Sequence, residues 1–428
     1  MQKTMFLAMI AACLAVNAYA QQNGFYLHNS DRVVFYGDSI TDQRNYTMMI
    51  ETYVVTRYPS LHVAFTNSGW GGDRVTGGDG GEIDLRLKRD VIPYNPSVVT
   101  IMLGMNDGGY KTATETSDKA FFDGFRHIYE VLKRDDPQAR ITAIEPSPYD
   151  NVTRTPAFPV ADGAAYNQVL VAYGKWISTF GKENGLTVAD ANTEFVQMLE
   201  RANQANPTLA KEILADHIHP SFGGALLIGE AVLKAWGARP IVASVSIHAD
   251  GTRVKLDHTE HAVVTDLANT NGSVLWTETD DALPLPFAQW QVMWGAGPAV
   301  GLVIGSSDIT AALNEEPVRV SGLKDGVYSI RIDGTSIGTF TNDQLAQGVN
   351  LALLKTPMTE QAMSVYKLTT EHSDLHYDRW RHVEVPFATL PTAAAAMSSI
   401  NELEASVVEK QRALAIPKPH KFEVAPLQ

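Results

Sequence analysis

Between residue 32 and about residue 239, short apolar runs alternate with longer amphipathic segments, and this alternation constrains the fold more than anything else in the chain. The runs cover 32–36, 63–67, 98–103, 141–144 and 186–189; helical patterns such as 119–133 and 166–182 lie between them. Strands buried on both faces are apolar throughout, and consecutive parallel strands need a long crossover, usually a helix. The pattern therefore predicts an α/β domain built on a parallel sheet, spanning residues 21–239.

The texture changes near Pro240. Residues 240–341 contain alternating stretches such as VASVSIHADGTRVKL and VYSIRIDGTSIGTF, punctuated by Asp-Gly turns, and are predicted to form a β-rich accessory domain. Residues 342–428 carry helical patterns, LALLKTPMTEQAMSVYKLTTEH and AAAAMSSINELEASVVEKQRAL, and are predicted to be a helical C-terminal extension with a poorly ordered tail from Pro417. A chain of 428 residues has room for such a division.

The first 20 residues, MQKTMFLAMIAACLAVNAYA, have the layout of a signal peptide: Lys3, an apolar run, then Ala18-Tyr19-Ala20 before the expected cleavage site. The reading is a secreted or periplasmic protein. The rival is a lipoprotein anchored at Cys13, whose context Ile10-Ala11-Ala12-Cys13 fits a lipid-attachment box. Cys13 is the 1 cysteine of the chain, which excludes an internal disulfide framework and a cysteine-rich metal site. No later run approaches the ~20 apolar residues of a transmembrane helix. With 34 Lys+Arg against 48 Asp+Glu, a net charge of −14 disfavours nucleic acid as a partner. Oligomeric state has no signature in the sequence.

The residues that carry chemistry stand at predicted strand ends, where parallel α/β sheets form their ligand crevice. The first strand runs into Gly37-Asp38-Ser39, which sets a serine hydroxyl at that edge after a glycine suited to a tight turn. The second ends in NSGWGGDR, where glycines allow the backbone to approach a ligand with an N–H. The third ends in Gly104-Met105-Asn106-Asp107 and brings a side-chain amide to the same edge. Before the predicted helix 223–236 stands Asp216-His217-Ile218-His219-Pro220. A carboxylate and an imidazole at this spacing share one face of a turn, so Asp216 can hold Nδ1–H of His219 and leave Nε2 as a base. Asp38 and Asp107 are expected to bond loop amides, and His217 to serve packing or substrate contact.

Taken in order, these elements resemble the SGNH, or GDSL-type, serine hydrolases: Ser39 in GDS, Gly72 in the glycine loop, Asn106 in GMND and His219 in DHIHP. Gly72 is preferred over Gly71 because NSGWGGD then lies over the family's Asn-x-x-x-x-Gly-Asp pattern without a gap. The resemblance implies a flavodoxin-like three-layer α/β/α sandwich with a five-stranded parallel sheet. It also implies Ser39, Asp216 and His219 as catalytic triad, and the Ser39 N–H, the Gly72 N–H and the Asn106 side chain as oxyanion hole.

In motif style the chain is nearest to rhamnogalacturonan acetylesterase-like carbohydrate esterases. The expected reaction is hydrolysis of short acyl esters, acetyl first, on a small-molecule or polysaccharide substrate. A lipase, phospholipase or thioesterase and a non-catalytic glycan-binding protein are the alternatives. Trp70 is a candidate substrate-binding residue, offering an aromatic face to a sugar. Trp276, Trp290 and Trp294 are expected in the core rather than on a sugar-binding surface. The chemistry asks for no cofactor and no metal; His372 and His376, four apart on a predicted helix, are expected to be structural rather than a metal site.

Overall fold

A computed structural model describes residues 24–154, 166–293 and 295–427. The signal-peptide and Cys13 readings and Trp294 lie outside the described residues.

Five strands, β1 (Arg32–Gly37), β2 (Ala64–Gly69), β3 (Val98–Met102), β4 (Arg140–Ile144) and β5 (Thr187–Ala189), form one parallel sheet in the order β2-β1-β3-β4-β5. Both faces are covered, and Val33, Val34, Phe35, Val98, Val99 and Ile101 are buried. Helices α1 (Asn45–Arg57), α2 (Glu115–Asp135), α3 (Tyr166–Asn184) and α4 (Phe222–Ala235) belong to this layered domain. Because β2 and β3 leave β1 on opposite sides, the strand order reverses there. That switch opens a crevice at the carboxyl ends of β1 and β3.

Beyond residue 240 two further sheets share a second apolar core. One contains β6 (Ser244–Asp250), β7 (Arg253–Glu260), β10 (Pro317–Ser321) and β13 (Val349–Asn350), in the order β13-β10-β6-β7. The other contains β8 (Ala262–Thr270), β9 (Ser273–Asp280), β11 (Val327–Ile332), β12 (Thr335–Thr341) and β14 (His420–Pro426), in the order β8-β9-β14-β11-β12. The tail expected to be poorly ordered is therefore a central strand. β14 pairs antiparallel with both β9 and β11, setting Trp276 opposite Phe422 and Ile330 opposite Val424. Its alternation places Phe422 and Val424 in the core, where Trp276 stacks on Phe422 at 5.0 Å between ring centroids.

The two later segments also reach back into the first core. Short helices Phe287–Trp290, Gly297–Ser306 and Ile309–Leu313 interrupt the β-rich region. Their Trp290, Val300, Val303, Ile309 and Leu313 are buried in the same cluster as the parallel sheet. Helices α5 (Pro357–Tyr377) and α6 (Pro391–Ala415) pack together and against α1. Consequently α1 is buried on nearly every side, including its polar Glu51 and Arg57, as expected of a helix enclosed between layers.

A charged seam joins these three helices. His372 of α5 lies between Glu51 of α1 (2.8 Å) and Glu404 of α6 (3.2 Å), and Gln411 donates to Glu51 (2.8 Å). Burial alone would lower the His372 imidazole, but the two carboxylates push it up to about 10. His376, one turn on, is lowered to about 4 by burial and donates Nε2–H to the carbonyl of Asn67 (2.9 Å). Trp276 and Trp290 are fully buried. No described helix is long and apolar enough to cross a membrane.

Candidate active site

Ser39 opens a four-residue helix, Ser39–Asp42, immediately after β1. Asp38 caps it by accepting from the Ile40 N–H (3.0 Å), which turns the Ser39 hydroxyl out into the crevice at the sheet edge. His219 lies in the turn before α4, itself capped by Ser221. Its Nε2 is 2.7 Å from Ser39 Oγ, and its Nδ1 is 2.6 Å from Asp216 Oδ2. The other Asp216 oxygen accepts the backbone N–H groups of Ile218 (3.0 Å) and His219 (2.7 Å), so one carboxylate both shapes the turn and aims the ring. Partial burial would raise the Asp216 carboxyl, but the amide and imidazole of His219 hold it below its usual value. An ionised Asp216 needs a donor at Nδ1, which leaves Nε2 to accept the serine proton.

Near Ser39 lie the glycine loop and Asn106. Gly72 has φ +76°, a left-handed conformation that favours glycine, and an added Cβ would stand 2.8 Å from Asp79. The Gly71 N–H donates to Asp42 Oδ2 (3.1 Å). Among the described residues the Gly72 N–H has no acceptor, so of the two it is the amide left for a ligand. Asn106 Nδ2 donates one proton to the Asp73 carbonyl (3.0 Å), and its Oδ1 accepts from Tyr110 Oη (2.8 Å). That pair of bonds sets the orientation of the amide and leaves its second N–H.

Behind the loop the charges are buried. Asp107 accepts from the Val75 N–H (2.9 Å). Burial raises both Asp38 and Asp107 to about 7, and their mutual repulsion adds to the rise at Asp38. Arg86, fully buried, pairs with Asp73 (2.6 Å) and Asp90 and donates to the Ser68 carbonyl (2.7 Å). His217 Nδ1 meets the Asp150 carbonyl (2.6 Å) and its ring stacks on Tyr149, so it holds the loop at 150 rather than facing Ser39.

Trp70 is half-buried and its ring carries contacts from the protein itself. The Arg381 guanidinium lies 3.5 Å from the ring centroid, with Arg89 at 5.0 Å and Trp380 edge-on at 5.6 Å. A protein cation therefore lies against one face of the ring. Sequence reasoning missed Tyr110, Asp42 and Arg381; the first two sit within four residues of recognised motifs, whereas nothing local points to Arg381. Among the described residues Glu194, Glu230 and Asp308 lie close enough together to share a cation. Lys234 already lies among them, 2.7 Å from Glu194 and 3.3 Å from Asp308.

Residues 35–225 match the GDSL-like lipase/acylhydrolase family. An acetylxylan esterase of Geobacillus stearothermophilus is 24% identical over 228 residues, covering 49% of this chain and 95% of that protein. Among solved structures, a gut microbial diltiazem-metabolizing enzyme superposes with TM-score 0.80 at 24% identity, over 94% of this chain and 98% of that one. The whole architecture, the later sheets and helices included, is thus a shared fold. An acetyl xylan esterase structure aligns over 48% of this chain and 98% of its own, with TM-score 0.36 and 19% identity.

Proposed function

Residues 35–225 belong to the GDSL-like lipase/acylhydrolase family and the protein is an esterase; from that premise we propose that it removes short acyl groups, acetyl above all, from carbohydrates by way of a Ser39 acyl-enzyme. The observation that carries the reading is the continuous chain from Ser39 Oγ to His219 (2.7 Å) to Asp216 (2.6 Å) at the mouth of the crevice. Serine is a weak nucleophile until an adjacent base takes its proton. His219 Nε2 accepts that proton as Oγ attacks the ester carbonyl, and Asp216 stabilises the imidazolium that forms. The carbonyl oxygen, now an anion, is met by the Ser39 and Gly72 amides and by Asn106 Nδ2. Collapse breaks the bond to the alcohol, which leaves with the proton from His219. Water, activated by the same imidazole, then releases the acid and restores Ser39.

The carbohydrate assignment leans on the likeness to an acetylxylan esterase over 228 residues. Export through a cleaved signal peptide at residues 1–20 belongs to the same proposal and suits a polymeric substrate outside the cell.

The test is an acyl-length series on aryl esters together with acetate release from a panel of acetylated polysaccharides. A site walled for a methyl group excludes longer chains, each methylene costing about 1–3 kcal/mol where space is lacking. We expect kcat/KM to fall from acetate to butyrate and to be negligible for octanoate, with acetate released from at least one glycan. A series rising toward octanoate overturns the acetyl-ester reading in favour of a lipase.

Asn106→Ala is expected to lower kcat by about 10²–10³ with little change in KM, because its amide acts on charge that exists only in the transition state. Unchanged turnover in steady-state kinetics removes Asn106 from the oxyanion hole.

A further inference from the structure

After α5 the chain continues as a π-helix, Asp378–Glu384, and this segment lies directly on the glycine loop. Trp380 Nε1–H donates to Asp90 Oδ1 (2.7 Å), and His376 reaches Asn67 at the loop's start. Arg381 goes further. A guanidinium N–H donates to the Gly69 carbonyl (3.3 Å), the group lies over Trp70, and it faces Asp42 Oδ1 at 3.6 Å.

Asp42 is the hinge of this arrangement. It ends the short helix that Ser39 begins, and its Oδ2 holds the Gly71 N–H beside Gly72. The contact between that helix and the loop is so close that a Cβ on Gly69 would lie 2.2 Å from the Asp42 nitrogen. Nucleophile and loop are therefore locked together through Asp42. Its side chain is 20% exposed, and burial raises its carboxyl. Arg381 is the strongest of the cations that oppose that rise.

We propose that Arg381 is a positioning residue for ester hydrolysis: by holding the Asp42 side chain in place and clamping Trp70, it fixes the glycine-loop amides relative to Ser39. The proposal rests on the esterase reading of Ser39 and Gly72 above. It makes the C-terminal helical segment part of the machinery of a site built otherwise from residues 37–219. Arg381 does not touch the reacting atoms. Its loss lets the loop relax, so the oxyanion donors miss the developing charge while the ground-state ester still binds.

The experiment compares the full-length wild type with Arg381→Met, Arg381→Lys, Asp42→Ala and the Arg381→Met/Asp42→Ala double variant. Each is assayed for kcat and KM on an aryl acetate and for thermal unfolding. Arg381→Met is expected to lose about 10- to 10²-fold in kcat, the scale of a sub-ångström-to-ångström misplacement, with KM nearly unchanged. Arg381→Lys should recover part of it, since an ammonium restores the charge beside Asp42 but not the flat stack on Trp70. The double variant should be no slower than Asp42→Ala alone, because both substitutions break one linkage.

Wild-type kcat in Arg381→Met, a loss confined to KM, or effects that multiply in the double variant would each overturn the proposal. Should Arg381→Met fail to fold, Asp42→Asn carries the test. It keeps an acceptor for the Gly71 N–H but removes the ion pair, and full kcat in that variant is equally fatal. A serine-directed phosphonate applied to the wild type separates the two levels of inference. No labelling at Ser39 sinks the esterase mechanism itself; labelling with unimpaired Arg381→Met sinks only the positioning role.

Discussion

Ser39→Ala is expected to abolish ester hydrolysis, with kcat lower by about 10⁵–10⁶-fold, the scale seen when the nucleophile of a triad is removed. The chemistry has no substitute at that point. His219 Nε2 is directed at Ser39 Oγ, and His217 is turned away onto the Asp150 carbonyl. The fold should hardly notice. Ser39 is half-buried at the first position of its helix, where alanine is well tolerated, and the cap belongs to Asp38. The change costs one hydrogen bond at the site mouth, about 1 kcal/mol or less. Turnover of an aryl acetate and a melting curve on the same sample check both halves. Hydrolysis near the wild-type rate by a folded Ser39→Ala protein would end the serine-nucleophile mechanism.

Removing residues 240–428 is expected to leave no stable hydrolase domain. The boundary that composition suggests near Pro240 does not coincide with the edge of the core. Trp290, Val300, Val303, Ile309, Leu313 and Tyr366 are all buried within the cluster that contains the parallel sheet. Each large apolar side chain so buried contributes about 1.5–3 kcal/mol. Six of them match the whole stability of an ordinary domain, about 5–15 kcal/mol. The truncation also exposes the face of α1 against which α5 and α6 pack, and strips away the residues that brace the glycine loop. Expression in the insoluble fraction, or a chain without a cooperative unfolding transition, is the expected outcome. A soluble truncated protein with wild-type melting temperature and kcat would show the first 239 residues to be self-sufficient.

What the sequence made legible follows the range of the interactions concerned. The strands of the first sheet read as continuous apolar runs because each is buried on both faces, and their ends located Ser39, Gly72 and Asn106. Asp216 and His219 were legible because their contact closes within a single turn. Arg381 was not, since it meets the Gly69 carbonyl across 312 residues of chain, and no local pattern encodes that approach. Trp70 shows the same limit from the other side: an aromatic beside a glycine loop invites a sugar, but only the fold reveals that Arg381 already lies on the ring. The strand β14 was hidden by Pro417 and Pro419 and by its place at the chain end, although Phe422 and Val424 carry the alternation of a strand. The helices between 287 and 313 escaped because GPAVGLVIGS, rich in glycine and apolar all round, has no amphipathic period to read.

The central place of β14 has a consequence for how the chain is made. β9 and β11 never pair with each other; β14 stands between them. While the ribosome is still extending the chain, both present bare edges, the kind of surface on which strands of different molecules join. This sheet can therefore close only when residues 420–426 arrive, and a chain interrupted before them carries two open edges where β14 would stand.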